Sequence, residues 1–164
     1  MYKRLFTDLL VTARKVRGLT QDDACRLIGI SDKSTLSKWE KGLITPSESM
    51  VRRIVQVYDD PILGYVYLQQ CTELGRLILP PIVHASLETL TLRFQKEYHD
   101  IQAIQMDMID IACDGVIEDH ELERWDRATK EVADLAEVSL PLVIKNFMRS
   151  KKPSQDGSLV RAYV

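Results

Sequence analysis

The chain has 164 residues, 45% hydrophobic and 28% charged, with a formal net charge of −2. That is enough apolar side chain to fold one domain and a small second one. No run approaches the roughly 20 apolar residues of a membrane span, and the start MYKRLFTDLL lacks the apolar core and cleavage site of a secretory signal. The charges are unevenly laid out. Residues 1–58 hold eleven Lys or Arg against six Asp or Glu, and residues 59–164 hold eleven against eighteen. A basic head on an acidic body fits nucleic acid at one end and repels it at the other. Cys25, Cys71 and Cys113 are odd in number, far apart and set in apolar helical surroundings, which predicts buried free thiols in a reducing cytoplasm. The expected protein is soluble and cytoplasmic.

Leu5, Phe6, Leu9, Leu10, Ala13 and Val16 recur at three and four, which predicts a first helix over Lys3–Val16, stopped by Gly18. Leu19 to Pro46, LTQDDACRLIGISDKSTLSKWEKGLITP, then reads as two short helices joined by a tight turn and followed by a glycine-containing loop. Thr20 is placed to cap the first of the two, with Asp23 giving a weak capping box. Ala24, Leu27 and Ile28 make its buried stripe, and Gly29 ends it in a left-handed conformation. Ile30 fills the angle, and Ser31 or Asp32 caps the second helix. There Leu36 and Trp39 face inward, while Lys33, Ser34, Ser37, Lys38 and Lys41 face out. An apolar anchor beneath an outer face of Lys and Ser suits the major groove.

The pattern L-T-Q-x-x-A, then G-I-S, then S-T-L-S-x-W-E-x-G and a proline, resembles the Cro and λ-repressor type of helix-turn-helix, the XRE family, over residues 1–60. The resemblance implies an all-α DNA-binding head of phage-repressor type. It assigns phosphate contacts to Gln21 and Lys41, and an ion pair to Arg14 and Glu40 that locks the first helix to the recognition helix. Lys33, Ser34, Thr35, Ser37 and Lys38 are the remaining DNA-contact candidates. One feature departs from the family. Four residues (Asp32, Lys33, Ser34 and Thr35) stand between the serine after the turn and the apolar anchor, where three are usual, so the resemblance assigns individual base contacts only to within about one position.

Pro46-Ser47 starts a fourth helix with Met50, Val51, Ile54, Val55, Val57 and Tyr58 inward and Arg52 and Arg53 outside. Asp59-Asp60-Pro61 caps a helix from Ile62 to Leu79, apolar through Leu63, Val66, Tyr67, Leu74, Leu77 and Ile78, which must be covered by a second domain or another subunit. Pro80-Pro81 marks a boundary that a helix cannot cross. A long helix is predicted from Ile82 to Cys113 on a seam of Leu87, Leu90, Phe94, Ile101, Ile104, Met108 and Ile111. Asp114-Gly115 breaks it, and Leu122, Trp125, Thr129, Val132 and Ala136 give the return arm of an antiparallel hairpin. Ser139 and Pro141 begin one more short helix, ending near Ser150. The partition is a head over 1–60, a connecting helix over 61–80, a helical body over 81–150 and a tail over 151–164, in which LVRAYV adds a strand or is disordered. Leu92, Tyr98, Ile109 and Leu135 lie off the seams, and this apolar surplus predicts dimerisation through the body.

Asp110, Asp114, Glu118 and Glu121 fall at the first, fifth, ninth and twelfth places of a calcium loop, but the third is Ala112. The plainer reading is a glycine cap, with Ile117 packed in the corner and Glu121 serving the next helix. His84, His99 and His120 form no zinc set. There is no glycine-rich phosphate loop, and the body lacks the strands of a self-cleaving serine–lysine repressor domain. No metal, cofactor or enzymatic activity is expected. The reading is a dimeric transcriptional regulator bound to a double-stranded DNA operator. Two other readings stay open: an autorepressing antitoxin, with a protein partner on the C-terminal helices, and a protein-interaction adaptor that keeps the head fold.

Overall fold

The computed structural model describes residues 3–150, with side chains from Leu5 to Asn146. Among the described residues there are eight helices and no strand, and no helix is long and apolar enough to cross a membrane. The chain divides into two units, with the first running to Leu79 and the second covering Pro80–Asn146. The predicted tail, 151–164, lies outside the described residues.

In the first unit α1 (Lys3–Val16) buries Phe6, Leu9, Leu10 and Ala13, while Leu5 and Val16, at the edges of the predicted stripe, are exposed. α2 (Gln21–Ile28) and α3 (Lys33–Glu40) follow, then α4 (Glu48–Tyr58), which buries Val51, Ile54 and Tyr58. Asp59 turns the chain in the left-handed region at φ 56°, and Asp60 caps α5 (Pro61–Cys71) by accepting from the Ile62 N–H at 3.1 Å. α5 is covered by the head itself, packing against α1 and α4. Its Gln70 Oε1 accepts from the Phe6 N–H, in the first turn of α1, at 3.2 Å. The Phe6 and Tyr67 rings meet at 5.6 Å between centroids.

The helix expected to run unbroken to Leu79 is interrupted at Thr72. The Thr72 hydroxyl donates to the Leu68 carbonyl at 2.7 Å and accepts from the Gly75 N–H at 3.0 Å, ending α5 and starting α6 (Glu73–Ile78) in one residue. The corner is tight enough that a Cβ on Gly75 would lie 1.8 Å from the Leu68 carbonyl oxygen. Leu74, Leu77 and Ile78, expected to be covered, are exposed on α6.

In the second unit the long helix begins at Leu87, the first residue of its seam and five residues later than the predicted start at Ile82. Ser86 caps α7 (Leu87–Ala112), its hydroxyl accepting from the Thr89 N–H at 3.3 Å, and Pro80–Ala85 is not helical. α8 (Leu122–Ser150) is a single helix that passes through Pro141, where a fresh helix start was expected. A proline there removes the N–H that would bond the Glu137 carbonyl. That carbonyl accepts instead from the Val83 N–H at 2.9 Å. The Pro80–Ser86 segment therefore repairs the helix from outside, with Ile82 and Pro141 both buried and the Lys145 Nζ donating to the Ala85 carbonyl at 3.4 Å.

α7 and α8 run antiparallel. Asp107 meets Arg124 at 2.7 Å, and the carboxylates of Glu97, Glu131 and Asp134 lie within 4.8 Å of one another. Leu90 and Ile111 of α7 and Ala128 and Val138 of α8 are buried. The α8 seam thus sits about one residue off the predicted one, since Leu122 and Val132 are exposed and the Thr129 hydroxyl bonds back to the Trp125 carbonyl at 2.9 Å. At the corner Gly115 has φ 77°, Asp114 Oδ1 accepts from the Val116 N–H, and Glu121 Oε2 accepts from the Glu118 N–H, both at 3.0 Å. Ile117 is 40% exposed and does not fill the corner.

Two outcomes follow. Gly75→Ala should cost about 1–3 kcal/mol, because the added methyl meets backbone that cannot rotate away; an unchanged thermal midpoint would contradict the close approach. Val83→Pro removes the donor to Glu137, and Pro141→Ala restores one within the helix. In denaturant titrations Val83→Pro should therefore cost about 1 kcal/mol less when Pro141 is already Ala. Equal costs in the two backgrounds would show that the two donors do not share the carbonyl.

Candidate nucleic-acid interface

The turn between α2 and α3 is built from local hydrogen bonds. Thr20 Oγ1 accepts from the Asp23 N–H at 3.1 Å while Asp23 Oδ2 accepts from the Thr20 N–H at 3.3 Å, a reciprocal box that Asp completes here in place of Glu. The bonds from Thr20 hold the Asp23 carboxyl below its ordinary pKa. Gly29, at φ 81°, closes α2, with its own N–H and that of Ile30 both donating to the Cys25 carbonyl. The stripe of α2 is Ala24, Cys25 and Ile28. Leu27, predicted inside, is 59% exposed, because it lies on the far side of Ala24 from Cys25 and Ile28. Of the three thiols only Cys25 is buried, and burial raises its pKa; Cys71 is half-buried and Cys113 exposed, against the expectation for both.

Asp32 caps α3. It accepts from the Ser34 N–H at 2.8 Å and from the Ser34 hydroxyl, and these bonds lower its pKa. Asp32, one of the four residues between the serine after the turn and the apolar anchor, is thus a cap outside the helix. Lys33 becomes the first helical position, and Leu36 and Trp39 keep the inward phase, 0% and 6% exposed. With that phase Ser34, Ser37, Lys38 and Lys41 share the outward face, while Lys33 and Thr35 fall on its two flanks. Gly42, at φ 70°, ends the segment, with the Leu43 N–H bonding the Lys38 carbonyl and the Gly42 N–H bonding that of Trp39.

Behind this face lies one shared carboxylate. Arg14 Nε donates to Glu40 Oε1 at 2.5 Å and its Nη2 to Oε2 at 3.2 Å, while Nη1 donates to the Leu19 carbonyl at 2.8 Å. Gln21 Nε2 donates to the same Oε2 at 2.7 Å. The hydrogen bond to Glu40 raises the Arg14 pKa, and the two side chains are only 11% and 7% exposed. α1, α2 and α3 thus meet at Glu40. Tyr58 lies close enough to feel both charges; burial raises its pKa, and its hydroxyl has no hydrogen-bond partner among the described residues.

The predicted contact residues are therefore not equally placed. Lys33 Nζ pairs with Asp22 at 2.8 Å, a partner that spacing alone did not suggest, since the two are eleven residues apart across the turn. Gln21 is half-buried and held by Glu40. Lys38 and Lys41 are exposed and form no ion pair with a described residue. Arg53 Nη1 donates to the Ile28 carbonyl at 3.4 Å, and Arg52 is exposed beside it.

Glu40→Ala should destabilise the first unit by about 3–5 kcal/mol, because it leaves the Arg14 charge buried and uncompensated. Tyr58→Phe should change stability by less than about 1 kcal/mol, since it removes a hydroxyl that is already unpartnered. Chemical denaturation checks both, and a large loss in Tyr58→Phe would reveal a bond to that hydroxyl.

No curated protein and no solved structure matches the chain. Residues 5–60 match the family model described as a helix-turn-helix domain. The matched stretch runs from the start of α1 to the cap of α5 and contains the whole of the geometry above. Residues 5–60 are a helix-turn-helix domain, consistent with the XRE-like family that the sequence resembles, and the remainder of the chain has no family match.

Proposed function

We propose that the chain is a sequence-specific regulator of transcription, of phage-repressor type, that binds double-stranded DNA as a dimer. The observation that carries this reading is the outward face of α3. Two lysines without an ion pair among the described residues, Lys38 and Lys41, stand there with the hydroxyls of Ser34 and Ser37, on a helix whose opposite side is anchored by Leu36 and Trp39. A helix so presented inserts into a major groove and reads base edges with its outward side chains. Lys38, Ser34 and Ser37, with Lys33 and Thr35 on the flanks, take the base-edge role. Lys41 takes phosphate from the end of the helix, and Gln21 takes it from the start of α2 through the second N–H of its carboxamide, the first being held by Glu40.

A single head covers one half-site, so specificity calls for two heads on a repeated or palindromic operator. The acidic second unit carries no comparable lysine face, which supports a division into a DNA-reading head and a body that pairs or receives signals.

Lys38→Ala should weaken operator binding by about 1–3 kcal/mol and relax preference at one base position. Lys41→Ala should weaken operator and random duplex alike, with a shallower dependence on salt. Binding titrations on a selected operator and on random duplex, at several salt concentrations, separate the two roles. Equal weakening on both duplexes by Lys38→Ala would move that residue to the phosphate group, and loss confined to one base by Lys41→Ala would reverse its role too.

A further inference from the structure

We propose that α7 carries a second seam, turned away from α8, through which two copies of this chain pair. The inner seam of α7 is the apolar one that includes the buried Leu90 and Ile111. On the outer side Thr91, Gln95, Tyr98, Gln102, Gln105 and Ile109 follow one another at steps of four, three, four, three and four, the spacing of a coiled-coil contact line. All six are exposed, and the exposed Leu92 and Met106, 73% and 65% accessible, flank the line. The Tyr98 ring is stacked on Phe94 one turn earlier, with centroids 6.2 Å apart and planes within 10°, so its place on the line is fixed from within.

Charge decides what covers this face. The second unit holds six Lys or Arg against fourteen Asp or Glu over Pro80–Asn146, so two copies repel over most of their surface. Arg93, Lys96, Glu97, Asp100 and Asp107 of α7 all lie off the outer line, and charge touches it only at its ends, through Glu88 and Asp110. A basic partner would be drawn to the acidic sectors and finds nothing here. An identical acidic body finds the one stretch of α7 where like charges do not meet, and a two-fold axis sets that stretch against itself. From Thr91 to Ile109 the line is about 27 Å long, and a helix pair in contact over that length approaches the roughly 1,200 Å² of a stable interface.

This rests on the dimer in the proposed function and names the face that forms it. Sedimentation of the full chain at micromolar concentration is the test. Gln95→Glu combined with Gln102→Glu adds two negative charges to the line with almost no change of shape. Arg93→Glu makes the same change in charge off the line. The wild type should be a dimer, the double Gln→Glu variant should dissociate with a Kd raised at least tenfold, and Arg93→Glu should leave it unchanged. Circular dichroism should report the same helix content in all three. A monomeric wild type, or equal weakening by both substitutions, would overturn the proposal, as would no weakening by either. Binding of each variant to random duplex is measured alongside, because a monomer that still binds DNA removes the interface and leaves the DNA-reading head standing.

Discussion

The Glu40 carboxylate receives hydrogen bonds from two other helices, and the geometry of the head depends on it. Arg14 reaches it from α1 and Gln21 from the first residue of α2, while Glu40 itself closes α3. A helix-turn-helix is useful only if the angle between its two helices is held, and here one buried group ties both to the helix behind them. The net stabilisation from such a buried pair is small, because desolvation offsets most of the attraction. Its effect is on geometry, since a shift of any one helix would leave a charge or an amide unpaired in a dry place.

The same arrangement sorts the polar residues of the head by availability. Arg14 and Glu40 neutralise each other, Lys33 is answered by Asp22, and Arg26 by Asp23 at 2.5 Å. Lys38 and Lys41 remain on the outward face of α3 without such partners among the described residues. On a head whose basic residues outnumber its acidic ones, this leaves positive charge concentrated on the outward face of α3. The second unit has the opposite sign of charge.

Much of the head was legible in the sequence because its signals are local. Thr20, Gly29 and Gly42 act within a turn of their own position, and Leu36 and Trp39 share one face of a two-turn helix. Leu27 was misplaced because a two-turn stripe leaves its centre ambiguous, and Cys25 rather than Leu27 faced the core. The break at Thr72 was hidden because threonine inside a long apolar run gives no warning without the close approach that Gly75 permits. Pro141 is the clearest case of a non-local cause. Read locally it starts a helix, yet a helix passes through it because an N–H from Val83, nearly sixty residues earlier, takes the carbonyl that the proline leaves free. The pairing of Lys33 with Asp22 was equally out of reach, since nothing in an eleven-residue spacing foretells which way a turn will fold.

The proposed function requires that the outward face of α3 meet DNA. The most direct measurement is the affinity of the full chain for duplex DNA as a function of salt, first on random sequence and then on a duplex selected by the protein from a random pool. Affinity should fall linearly, on logarithmic axes, with rising salt on both duplexes, and the selected sequence should bind on the order of 10³-fold tighter or more at every salt concentration. Enrichment of no sequence, together with affinity for duplex that does not respond to salt, would contradict it.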